Sequence, residues 1–102
     1  MEQRVKQHLC RVYGLGMADV DELFVLARHT VASTLNRLQE ASERSDAHET
    51  ADAGHMLKGA LFNMGLAELG EMARELELAG KAGRMQDART VYAGLLAALK
   101  NL

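Results

Sequence analysis

Proline is absent from all 102 residues, so no position is denied a helical backbone by a missing N–H or a ring clash with the preceding turn. Glycine is left to punctuate the chain, and between the glycines at 14, 65 and 83 apolar residues recur every three or four positions. That spacing lines one face of a helix. The residues filling it are mostly Ala, Leu, Val and Met, with only two Tyr, two Phe and no Trp, and these are mostly good helix formers. An all-α chain is expected.

Val5, Leu9, Val12 and Tyr13 set a short first helix over 2–13, with Gly14 where a left-handed cap residue belongs. Val20, Phe24, Ala27, Val31, Thr34 and Leu38 then form one long stripe, which predicts the longest helix over about 19–44. The pattern stops at Ser45 and restarts at Asp46, where Glu49 three places on completes the signature of a capping box. A third helix follows through Thr50, Ala53, Leu57, Leu61 and Met64 to Gly65. Leu66, Leu69, Ala73, Leu76 and Gly80 mark a fourth, up to Gly83, and Ala88, Tyr92, Leu95, Leu99 and Leu102 a fifth. Short links near 45, 65 and 83 force neighbouring helices to run antiparallel. The expected fold is one domain: an antiparallel up-down-up-down four-helix bundle over 18–102, with 1–17 as a capping helix and turn.

The formal charge is −2, with acidic and basic residues interleaved, so no basic stripe is available to neutralise a nucleic-acid backbone. Charges also interrupt every apolar run before the roughly 20 residues that a bilayer span needs. No basic segment followed by an apolar one opens the chain, and Cys10 is alone. A cytoplasmic protein without nucleic-acid or membrane partners is expected.

One segment is costly for a purely structural helix. Gly54-His55-Met56-Leu57-Lys58-Gly59 puts two glycines mid-helix, each costing roughly 1 kcal/mol relative to alanine. With Leu57, Leu61 and Met64 on the buried stripe, His55 points outward, and Lys58 and Gly59 lie one turn further along its face. A neutral imidazole is a competent nucleophile near neutral pH and takes up a phosphoryl group on a ring nitrogen. Lys58 would offer a cation to the phosphoryl oxygens. Gly59 would let another protein's backbone approach.

The run His55-Met56-Leu57-Lys58-Gly59-Ala60, with Gly65 about one and a half turns after Gly59, resembles the histidine-containing phosphotransfer (HPt) domains of bacterial and plant phosphorelays. Asp46, the Leu76-Glu77 pair and the Gly83-Arg84 turn are also similar, and the resemblance covers roughly 18–102. Gly54 departs from it, standing where a helix former such as Ala is expected.

The resemblance implies a phosphocarrier without kinase activity of its own. His55 would accept a phosphoryl group from a histidine kinase or from the phospho-Asp of a response-regulator receiver domain, and pass it to another receiver. Lys58 would support the phosphate, and Gly59, Asp52 and Ala51 would give clearance or docking; Phe62, two turns beyond His55 on its helix face, is either a docking anchor or the edge of the core. The chain would need no cofactor or metal of its own, the Mg²⁺ belonging to the receiver. The alternative is a helical adaptor that docks a receiver or kinase without accepting phosphate.

His48, Asp52 and His55 also share a helix face and form an incomplete metal-ligand set. The expected place of Cys10 is against the bundle, and that of His8 and His29 on partly exposed faces.

Overall fold

The computed structural model describes residues 1–102 as five helices: α1 (Glu2–Tyr13), α2 (Met17–Glu43), α3 (Ala47–Asn63), α4 (Ala67–Lys81) and α5 (Met85–Ala98). The four longer ones pack in a ring, α2 on α3, α3 on α4, α4 on α5 and α5 back on α2, while α1 lies against α2. α2 has 27 residues, about 40 Å at 1.5 Å per residue, and it sets the 43 Å long axis of a molecule only 20 and 19 Å across. No helix is long and apolar enough to cross a membrane.

Each reversal in the ring is built the same way. The N–H of Asp46, Leu66 and Arg84 reaches back to the carbonyl of Ala41, Leu61 and Ala79, at 2.9, 3.0 and 2.9 Å. This closure requires a left-handed residue just before the donor. Gly65 and Gly83 supply it at φ 77° and 72°, but at the first reversal the residue is Ser45, at φ 50°. A side chain is disfavoured in that conformation. Arg89 of α5 braces the turn, donating to Ser42 O at 2.9 Å and to Ser45 Oγ at 2.8 Å.

The capping box at the start of α3 is only half made. Asp46 accepts from the Glu49 N–H at 3.0 Å, but the Asp46 N–H is already spent on Ala41. The Glu49 carboxylate turns instead to Arg37 of α2, accepting from Nε at 2.9 Å.

The α2 stripe is buried at Val20, Phe24, Val31, Thr34 and Leu38, where it meets Leu57, Leu61 and Met64 of the α3 stripe, Leu66, Leu69, Ala73 and Leu76 of the α4 stripe, and Leu95 and Leu99. Thr34 is satisfied inside this core by donating to Thr30 O at 2.7 Å. Tyr92 is half-buried and sends its hydroxyl to Leu35 O at 3.3 Å.

α1 buries Val5 and Leu9 but leaves Val12 and Tyr13 58% and 52% exposed, so its stripe is shorter than its spacing suggests. It is tied over the α3–α4 turn by Arg4, which donates to Gly65 O at 3.1 Å and to Glu68 at 3.0 Å. Cys10 is not packed against the bundle; it faces outward on this helix, and its thiol reaches only Leu15 O at 3.5 Å.

α3 and α4 approach more closely than side chains would allow. A Cβ on Gly54 would lie 3.0 Å from the Glu77 backbone nitrogen, and one on Gly80 would lie 2.7 Å from the Ala51 nitrogen. Gly54 is therefore the position that brings Glu77 of α4 up against His55's turn of α3.

Candidate functional site

His55 projects from the middle of α3 with its side chain 66% exposed. Its Nδ1 lies 2.9 Å from Oε2 of Glu77, a carboxylate that is otherwise buried at 5% exposure. Lys58, one turn along α3, donates to Glu77 Oε1 at 2.7 Å. Lys81, one turn along α4, pairs with Oε2 at 3.2 Å.

An unpaired buried carboxylate would be costly. Here Lys58 foremost, then Lys81 and His55, hold the Glu77 carboxyl down at about 2 against the opposing effect of burial. At neutral pH Glu77 is thus ionised and has no proton to donate. The contact with His55 must be Nδ1–H donating to Oε2, which in the neutral ring leaves the Nε2 lone pair as the free nucleophilic position.

Gly59 is exposed, and nothing lies within 4 Å of where its Cβ would be. The surface beside the ring is open there. Asp52 is also exposed, one turn before His55, with His48 Nε2 3.4 Å from its carboxylate. His48, Asp52 and His55 do not converge on a common point, since His55 turns to Glu77 instead.

Ala51 and Phe62 are both drawn into the α3–α4 packing, Ala51 fully and Phe62 in part. Ala51 is only 6% exposed, buried against Gly80 in the close α3–α4 crossing, and cannot meet a partner. Phe62 is half-buried, its ring filling the space that a Gly70 side chain would take, with the Arg74 guanidinium 5.9 Å from the ring centre. His8 is half-buried beside Gly65 and His29 is exposed, both outside this cluster.

The residues that sequence reasoning missed are Glu77 and Lys81. Glu77 follows Leu76 and stands four residues after Ala73, inside an otherwise apolar stripe. A charged residue at a core position needs a partner, and the outward-facing His and Lys of α3 were available to provide it. Lys81 then follows on the same helix face, at i+4.

A family model described as Hpt domain matches residues 22–102, which takes in most of α2 and all of α3, α4 and α5 and leaves α1 outside. No curated protein and no solved structure matches the chain.

Proposed function

Because the chain belongs to the Hpt domain family, whose members take part in histidine phosphotransfer within phosphorelays, we propose that it relays a phosphoryl group through Nε2 of His55. The donor is a histidine kinase or a receiver-domain phospho-Asp, and the acceptor is another receiver domain. The observation that carries this reading is the Nδ1 contact of an exposed imidazole with an ionised, buried carboxylate.

In the transfer from a receiver, Nε2 attacks phosphorus with its lone pair while the bond to the aspartyl oxygen breaks. The receiver recovers a free carboxylate. The imidazole keeps its Nδ1 proton, still donated to the Glu77 carboxylate, and becomes a phosphoimidazolium, so the positive charge that develops on the ring forms next to a fixed negative one. In the onward step the ring departs as neutral imidazole, without having to shed or recruit a proton. No base on this chain is required in either direction, and the Mg²⁺ of such a reaction is held by the receiver.

Gly59 supports the reading by leaving room for a receiver's backbone beside the ring, and Asp52 lies within the same exposed surface. Lys58 and Lys81 both stand near enough through Glu77 to supply positive charge.

The test is incubation with a phosphorylated receiver domain and Mg²⁺. The expected product is an acid-labile, base-stable label on the wild type and none on His55→Gln. An inert wild type would make the chain a docking adaptor, and a label persisting in the variant would move the acceptor elsewhere.

A further inference from the structure

We propose that Lys81, rather than Lys58, is the cation that meets the phosphoryl group on His55, and that Glu77 stores it beside the ring until that group arrives. The inference rests on His55 being the acceptor.

The two oxygens of Glu77 are divided between the lysines. Oε1 takes Lys58 at 2.7 Å, whereas Oε2 takes both His55 Nδ1 at 2.9 Å and Lys81 at 3.2 Å. Lys81 therefore shares an oxygen with the imidazole, and the two nitrogens are no further apart than those two short contacts laid end to end. Lys58 is held on the other oxygen.

The lysines also differ in freedom. The Lys58 side chain is 23% exposed, with its ammonium drawn into the α3–α4 crossing, while that of Lys81 is 62% exposed. Withdrawing Lys58 would strip the buried carboxylate of its shortest contact and leave that charge without its main partner. Lys81 has a long, flexible stem, holds the longer contact and already stands in solvent. When it swings away, Glu77 keeps Lys58 on one oxygen and the His55 N–H on the other.

A phosphoryl group on Nε2 brings a concentrated negative charge with several acceptor oxygens to the exposed side of the ring. It outcompetes a single carboxylate oxygen already shared with the imidazole. Lys81 moves from Glu77 to the phosphoryl oxygens, and no covalent bond or proton changes hands in that step. Before phosphorylation the same pairing keeps this cation from drifting away from the ring.

The test needs no partner protein. Phosphoramidate serves as the donor: its P–N bond breaks, ammonia leaves and the Nε2–P bond forms. Initial labelling rates are compared at low salt for the wild type, Lys81→Gln, Lys81→Arg and Lys58→Gln. Lys81→Gln is expected to slow labelling about threefold, the modest effect of one solvent-exposed charge. Lys81→Arg restores the rate, and the gap closes in high salt. Lys58→Gln slows labelling less than Lys81→Gln.

A second readout follows the lysine ammonium nitrogens by ¹⁵N NMR. On phosphorylation the Lys81 signal moves and the Lys58 signal stays, while His55→Gln treated with phosphoramidate shows neither change. Labelling of Lys81→Gln at the wild-type rate, or a Lys58 signal that moves while Lys81 stays still, overturns the inference and leaves the acceptor assignment standing. A wild type that takes no label, or a label persisting in His55→Gln, removes the acceptor assignment and this inference with it. Should Lys58→Gln fail to fold, the Lys81→Gln and Lys81→Arg pair decides alone.

Discussion

Replacing Glu77 with Gln keeps the shape of the side chain and removes its charge, so it isolates what the cluster beneath His55 contributes to the fold. In the native chain the Glu77 carboxyl titrates at about 2 instead of the usual 4.5. At 1.36 kcal/mol per pH unit, that difference is worth about 3 kcal/mol to the folded state at neutral pH. This is a ceiling, because two of the three partners, His55 and Lys81, are 66% and 62% exposed and act through solvent. A loss of about 2 kcal/mol is the expected outcome, a drop in melting temperature of roughly 8 °C for a domain of this size.

The sign with pH follows from the direction of the shift. A carboxyl whose folded-state value is depressed stabilises fully above its unfolded value near 4.5, and that contribution is lost as the pH falls toward about 2. Wild type and Glu77→Gln should therefore differ most at pH 6–7, draw together below about pH 4.5 and coincide only below about pH 2. Urea or thermal unfolding followed by circular dichroism at four or five pH values measures this. A gap that stays constant from neutral to acid pH would show that Glu77 acts through packing or hydrogen-bond shape, and the electrostatic account of the site would be wrong.

Gly59→Glu should fold normally, since nothing lies within 4 Å of the new Cβ. It should take label from phosphoramidate at close to the wild-type rate yet accept phosphoryl from a receiver domain about tenfold more slowly, bulk and negative charge both opposing docking; equal loss with both donors would point to damage at the ring itself. Gly80→Ala places a Cβ 2.7 Å from the Ala51 backbone nitrogen, and the resulting overpacking should cost about 1–3 kcal/mol against a helix-propensity gain of about 1. Its unfolding midpoint in urea should fall, and a midpoint at or above wild type would mean that α3 and α4 can separate at no cost.

The helices themselves were legible in the sequence because their determinants are local. A period of three and four, the absence of proline, the breaks at Gly14, Gly65 and Gly83 and the Asp46 cap place all five elements, and the α2 stripe from Val20 to Leu38 is buried almost as spaced. His55 was legible too, since the apolar residues of its own helix settle which way it points. α1 shows where spacing stops being informative: Val12 and Tyr13 keep the helical period but have no neighbour to cover them.

What only the tertiary structure decided is everything that depends on the distance between two helices. Whether Glu77 reaches His55, whether Lys58 faces a phosphate or a buried carboxylate, and whether Ala51 meets a partner or a glycine all turn on how closely α3 and α4 approach. That spacing comes from Gly54 and Gly80, residues whose meaning as a pair appears only when the two helices are laid together. A helix face can be read from one stretch of chain because its geometry repeats along that stretch. A contact across a bundle cannot, because its two halves belong to different stretches and only packing brings them into register.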